Sequence, residues 1–498
     1  MNSRLYTAAQ VRELDRRAIE SLAIPGATLM QRAAAAAWRV LRERWPQARS
    51  IAVLCGSGNN GGDGYLLACL ARQASLDVRL IALGEPKPDG DAARARSDWH
   101  AAGGAIVNAD GALDDSRWSQ ADVVVDALFG TGLARPPEGI AHALIERINV
   151  SDYLVLALDV PSGIDADTGA VLGVAVRAKV TVTFVAHKRG LITGAALDHC
   201  GELVLDRLDL PDTLFADAPF DARQLDMRRM NDWLPPRPRD SNKGRYGHVL
   251  AIGGDAGMGG AIRLCAEGAL RAGAGLVSAA TRAQNVIALN AGRPEIMAHA
   301  ASDAESIEGL LDRASVVAIG PGLGRGEWSQ ALWRAALASN KPLVVDADAL
   351  NLLVGESVTL PPASVMTPHP GEAARLLGCA AAQIQRNRYA AVRELAQRYR
   401  AVAVLKGAGT LIADPQGAVA VCPWGNPGMA SGGMGDVLTG VVAGLLAQGL
   451  NPWRAARLGV ALHARAGDAV ARDGAAGMLA SDLFPHLRRL RNVADAND

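Results

Sequence analysis

Twice along this chain, short apolar β-rich runs alternate with Ala-rich helical stretches. The first series holds IAVLC (51–55), VRLIAL (78–83), DVVVDAL (122–128), YLVLALDV (153–160) and VTVTFVA (180–186). Helical stretches such as YLLACLARQA (65–74) and DAARARSDWHAAG (91–103) lie between them. Several runs are apolar on both faces, and strands of that kind separated by helices imply parallel βαβ units with right-handed crossovers. A break follows at 211–242, PDTLFADAPFDARQLDMRRMNDWLPPRPRDSN, rich in proline and charge and without a long periodic run. The alternation then restarts with HVLAIGG (248–254), GLVSAAT (275–281), SVVAIGPG (315–322), PLVVDAD (342–348), SVMTP (364–368), AVAVLKG (401–407) and TLIAD (410–414). The expected fold class is therefore α/β, as two three-layer αβα domains, 1–221 and 222–498.

Charge and composition narrow the partners. Lys+Arg and Asp+Glu are both 51, so the formal net charge is zero. A nucleic-acid binder usually carries a basic excess, so no nucleic acid is expected. Six cysteines are scattered without a CxxC spacing and read as buried thiols of a reducing compartment, neither disulfides nor zinc ligands. The first residues, MNSRLYTAAQVRELDRRAIESL, are too charged for a signal peptide and read as a helix capped by Thr7 with Gln10, with Val11, Leu14, Ala18 and Leu22 on one face. No apolar stretch approaches the roughly 20 residues of a membrane span. A cytoplasmic protein, with no membrane partner and assembled as a homo-oligomer, is expected.

In the first half, three strands run into unusual loops: IAVLC into GSGNNGGDG, DVVVDAL into FGTGLARP, and YLVLALDV into PSGIDADTG. Ligands of open parallel sheets bind at such carboxyl ends. GSGNNG formally matches GxGxxG, so a plain dinucleotide-binding Rossmann domain stays open. Asn59, Asn60 and Asp63, however, add polar side chains where a pyrophosphate loop needs only backbone. The oxygens of Asn60, Asp126 and Ser162 suit a hard cation rather than zinc. Asp159 has two readings: a turn residue or helix cap, or a partly buried carboxylate placed for proton transfer.

In the second half, NPGMASGGMGDVLTG (426–440) sets glycines before an apolar helix taken to run on from Asp436. Free N–H groups and the helix dipole make such a start an anion site. A carboxylate beside it is unfavourable unless it accepts a proton from a hydroxyl attacking phosphorus; the alternative is a helix cap. Lys406 and Thr410 of VLKGAGT offer phosphate or ribose contacts. His369 and Glu372 of MTPHPGE begin a helix, and AIGPGLG (318–324) and GGDAGMGGA (253–261) are further glycine loops. Asp346 and Asp348 of VVDADAL are candidates to help hold magnesium. No Walker GxxxxGK[ST] occurs.

These motifs resemble known families. NNGGDG (59–64), DALFGTGL (126–133), DVPSGIDADTG (159–169) and HKRGL (187–191) are similar to the NAD(P)H-hydrate epimerase domain, a Rossmann-like fold. That resemblance implies potassium at Asn60, Asp126 and Ser162. It implies substrate contacts at Asn59, Asn60, Gly61, Gly62 and Asp63, at Gly130, Thr131, Gly132, Leu133, Ala134, Arg135 and Pro136, and at Asp159. RDSNKGRYGHVLAIGG (239–254), GPGLG, TPHPGE, LKGAGT and NPGMASGGMGDVLTG resemble the ribokinase-like NAD(P)H-hydrate dehydratases. This implies hydrate contacts at Ala261, Gly322, His369 and Asp436. Adenine-nucleotide contacts would fall at Lys406, Gly407, Ala408, Gly409, Thr410 and Gly435. ADP is implied as co-substrate, with magnesium, and NADH and NADPH hydrates as substrates. Asn242 stands where that family often has His. Asp436 and Asp159 are the expected catalytic residues. Two rivals stay open: a small-molecule kinase fused to a Rossmann oxidoreductase, with Glu85 as the ribose-binding acid, and a non-catalytic binding module in the first half.

Overall fold

The computed structural model describes residues 3–112, 120–150, 152–356 and 358–492. The chain divides into two compact units, Met1–Ala222 and Arg223–Asp498.

In the first unit, seven strands form one parallel sheet: β1 (Ser50–Cys55), β2 (Asp77–Ala82), β3 (Ile106–Asn108), β4 (Val123–Ala127), β5 (Leu154–Leu158), β6 (Val180–Phe184) and β7 (Glu202–Asp206). Their order is 3-2-1-4-5-6-7. The order reverses between β1 and β4, which is where a doubly wound sheet opens a crevice. Side chains alternate between two cores. Ile51, Val53, Val123 and Val125 enter one; Ala52, Leu54, Val124 and Val155 enter the other. That alternation is why these strands read as apolar throughout, and it gives the three layers. Helix α1 (Ala8–Ser21) carries the Thr7–Gln10 capping box, and α2 (Asn59–Gln73) leaves β1 through the first glycine loop.

In the second unit the sheet contains β8 (His248–Ile252), β9 (Leu276–Thr281), β10 (Met297–Ala300), β11 (Val316–Ile319), β12 (Leu343–Val345), β13 (Val365–Met366), β14 (Val402–Leu405), β15 (Leu411–Ala413) and β16 (Val419–Val421). They lie in the order 16-15-14-13-12-11-8-9-10. Pairing is parallel from β14 to β10, and β14, β15 and β16 are antiparallel. The helices that bear on function are α3 (Gly259–Ala272), α4 (Pro370–Leu377), α5 (Arg388–Tyr399), α6 (Met434–Ala447) and α7 (Pro452–Ala471).

Helices α3 and α6 meet backbone to backbone. A Cβ on Gly440 would lie 1.8 Å from the carbonyl oxygen of Cys265, and one on Gly444 would lie 2.6 Å from that of Ala269. Helix α6 starts at Met434, earlier than the sequence predicts, so Asp436 sits inside the first turn. Gly433 supplies the left-handed φ of 88° that turns the chain into it. Of the cysteines, Cys379 is half-buried and the other five are buried; all six are free thiols. Among the described residues, no helix is long and apolar enough to cross a membrane.

Candidate active sites

The three loops of the first unit leave neighbouring strands β1, β4 and β5, so their side chains converge. Asp126, at the end of β4, is fully buried. Its Oδ1 accepts from Ser162 Oγ at 2.6 Å and Leu128 N at 3.2 Å, and its Oδ2 accepts from Ser162 N at 2.8 Å. Burial outweighs these bonds and pushes its carboxyl up to about 6. Asn60, in the first turn of α2, is buried, and neither polar atom of its amide has a partner among the described residues. An orphaned amide in such a place is a binding feature or a cost of about 1–3 kcal/mol. A Cβ on Gly130 would lie 3.4 Å from both Asn60 Cβ and Asp159 Oδ2, so these three share one corner.

Asp159 follows β5 with a left-handed φ of 64°. Such a φ is uncommon outside glycine, and it marks a constrained position. Its Oδ1 accepts from the Lys188 ammonium and, at 3.3 Å, from Phe184 N. Lys188 is 1% exposed and also donates to Thr183 Oγ1 at 3.0 Å and Phe184 O at 2.8 Å, so all three of its protons are held. Two more carboxyls face this pair. Burial pushes Asp15 up to about 6, with Lys188 opposing and Asp159 adding. Burial and the Asp159 and Asp15 charges push Asp63 well above the usual carboxylate range. Burial and Lys188 together bring His187 down to about 4.

Asn60, Asp63, Gly130, Asp126, Asp159 and Ser162 are thus brought together. Asn59, Gly132, Ala134, Arg135 and Pro136 are exposed. Thr131 is tied to α1, its carbonyl accepting from Arg12 at 3.3 Å. Asp15 was missed by sequence reasoning, although a charged residue four positions after Val11, on the apolar face of α1, was the signal. Lys188 lay within a quoted motif without a role.

In the second unit, Asp346 at the end of β12 organises the site. Its Oδ1 accepts from Lys406 Nζ at 2.6 Å and its Oδ2 from Thr439 Oγ1 at 2.8 Å. Burial raises its carboxyl, but Lys406 and these bonds outweigh burial and leave it below the ordinary value. Both oxygens are therefore engaged, and Asp348 Oδ2 accepts from Gly324 N at 2.8 Å. A Cβ on Gly435 would lie 3.2 Å from Lys406 Nζ, which puts the ammonium against the first turn of α6. Arg388 of α5, also buried, donates to Leu405 O and Lys406 O at 3.2 Å each and fixes the turn into 407–410. Thr410 Oγ1 closes that turn on Gly407 O at 2.8 Å.

Asp436 stands apart. No described residue donates a hydrogen bond to its carboxylate. Burial, then Asp346, raise it to about 7, with Asp348 and Glu372 adding and Lys406 opposing. Glu372 is likewise raised to about 7 by burial, with Lys406 opposing and Asp346 adding. His369 caps α4: its Nδ1 accepts from Gly371 N at 2.9 Å, and its own N–H donates to Glu372 Oε2 at 2.7 Å. Burial, with Lys406 and Arg375, lowers its pKa, so the ring is a neutral acceptor on the cap side. A Cβ on Gly322 would lie 3.1 Å from Ala261 Cβ, which joins these two expected contacts. Glu85, the acid that an oxidoreductase would use, is exposed and 3.2 Å from Arg96.

Comparison with known proteins agrees in both halves. Residues 249–489 match the NAD(P)H-hydrate dehydratase family, and residues 26–190 match the family described as YjeF-related protein N-terminus. The chain is 48% identical to the bifunctional NAD(P)H-hydrate repair enzyme Nnr of Coxiella burnetii, covering 98% of this chain and 99% of that protein. It is 44% identical to the enzyme of the same name from Escherichia coli, covering 99% and 95%. A crystal structure of a hypothetical protein from Streptococcus mutans covers 54% of this chain and 98% of its own, with 30% identity and a TM-score of 0.50. With relatives this similar across nearly its whole length, the chain belongs to the bifunctional NAD(P)H-hydrate repair enzyme family.

Proposed function

We propose that the first unit interconverts the R and S epimers of hydrated NADH and NADPH, and that the second unit dehydrates the S form at the expense of ADP. The observation that carries this reading is Asp436: a carboxylate with no hydrogen-bond donor among the described residues, raised to about 7, in the first turn of a helix behind a glycine turn. A base with a pKa near neutrality is suited to taking a hydroxyl proton. Hydroxide is a poor leaving group and phosphate a good one. Asp436 takes the proton of the hydrate hydroxyl as its oxygen attacks the terminal phosphorus of ADP, and AMP leaves. The ring nitrogen lone pair then expels phosphate, a proton is lost from the neighbouring ring carbon, and the dihydropyridine is restored. Lys406 and the amides at 433–436 balance the charge on the transferring group, an effect worth several kcal/mol in such sites. Magnesium bound to the nucleotide phosphates would offset their charge.

In the first unit, the orphaned Asn60 amide with the Asp126 and Ser162 oxygens is a donor set that fits potassium. The ion would supply a fixed positive charge beside the substrate. Asp159, clamped by Lys188, is the group placed to move a proton on the hydrate. Cytoplasmic location and homo-oligomeric assembly complete the reading.

The test is to supply a mixed-epimer NADH hydrate with ADP, magnesium and potassium and follow dihydronicotinamide absorbance. Full recovery is expected. A stop near half would remove the epimerase assignment, and no recovery with any nucleotide would remove the dehydratase assignment on which the whole reading rests.

A further inference from the structure

The end of α3 opposite Ala261 borders a cavity of about 370 Å³ that neither reaction uses. Five arginines line it, Arg237, Arg271, Arg293, Arg488 and Arg491, against two carboxylates, Glu267 and Glu295, an excess of three positive charges. In a chain of zero formal net charge, such a concentration has to be accounted for.

Structural ion pairing accounts for part of it. Glu267, nearly fully buried, accepts from Arg271 at 3.2 Å and Arg293 at 2.6 Å. Cations at a helix C-terminus also suit the dipole of α3. The other three arginines have no carboxylate partner among the described residues. Arg237 lies flat over the Tyr246 ring, 3.7 Å from its centroid, and donates to Gly273 O. The buried Nε atoms of Arg491 and Arg293 have no acceptor among the described residues. Burial, then the neighbouring Arg237 charge, hold Arg491 below its ordinary pKa.

Guanidinium forks match phosphate oxygens in geometry and charge. The volume falls in the range of small-ligand pockets, about 300–1,000 Å³. We propose that this cavity is a second, non-catalytic site for a small oligophosphate, whose oxygens seat on Arg237, Arg488 and Arg491. The occupant is either a bare inorganic chain or the phosphates of a nucleotide.

Calorimetric titration of the full chain with inorganic tripolyphosphate tests it. The variants are Arg491→Gln, Arg488→Gln, whose exposed side chain cannot hold up the fold, and Lys406→Met, which removes the ammonium from the catalytic nucleotide site and is titrated at a temperature where it stays folded. Wild type and Lys406→Met should bind alike, with affinity falling at least tenfold in Arg491→Gln and severalfold in Arg488→Gln. Dehydratase turnover without the probe should be unchanged in both arginine variants. Wild-type affinity in both arginine variants, or no binding to wild type, overturns the proposal. A parallel titration with ADP separates the two sources. Two equivalents in wild type and one in Arg491→Gln identify a nucleotide, and one equivalent in both identifies the bare chain.

Discussion

Asp159 and Asp436 each sit beside a glycine-bearing turn, yet their surroundings are opposite. Asp159 is clamped by an ammonium whose three protons are all committed inside the protein. Asp436 receives no hydrogen bond from the described residues, and burial and neighbouring acids lift it to about 7. The first arrangement fixes where a carboxylate points; the second leaves one ready to collect a proton. A buried ion pair is not in itself a source of net stability, so its persistence at Asp159 speaks for orientation. The contrast also explains a difference in composition. The first corner must bury Lys188 and Asp159 together, whereas in the second the lysine pairs with Asp346 and leaves Asp436 unpaired.

The largest effect that could break the contrast is Asp436→Asn. Dehydration should fall by about 10²–10⁴-fold, the usual worth of a positioned base, while epimer interconversion is untouched. Retained dehydration in a stopped-flow assay would remove the base. Next is Lys188→Met, which leaves Asp159 buried without its partner. The first unit should lose about 3–5 kcal/mol in denaturant unfolding, and the second should keep its transition. A third test uses pH. Asp436 is raised, so it is protonated below about 7, and dehydratase kcat/KM should drop about tenfold per pH unit below that point and level off above it. The same shift works against the fold: a carboxyl that binds its proton more tightly when folded makes the second unit less stable as pH rises from the ordinary carboxylate range toward about 7. A flat rate profile would mean that substrate binding, not this proton, limits the rate. The smallest effect is Thr7→Ala, which removes the cap of α1, the helix that carries Asp15. It should cost about 1 kcal/mol in thermal unfolding and change the second unit not at all.

The central strands were legible because both their faces are buried, and a run such as IAVLC has one meaning in an alternating chain. The edge strands Ile106–Asn108, Glu202–Asp206 and Met297–Ala300, and the buried strand Val419–Val421, were not. They are short, and three of the four are partly solvated, so their residues resemble loop. At the sites, glycine loops and their acids could be read because each motif is local. The clamp on Asp159 could not, since Lys188 lies 29 residues away and Asp15 comes from the first helix. The pairing of Asp346 was hidden for the same reason: its partners Lys406 and Thr439 lie 60 and 93 residues further on. Sequence showed an acid at a strand end, and only the fold shows that both of its oxygens are already engaged.

Gly440 touches the Cys265 carbonyl with no side chain between. One partner in that contact carries Ala261 and the other carries Asp436, so the separation of these two residues is tied to a main-chain contact. A change of rotamer does not alter that contact. A catalyst built on such a seam should tolerate little variation in the thickness of the ring it admits, and selection for a bulkier relative would have to begin at the seam rather than in the pocket wall.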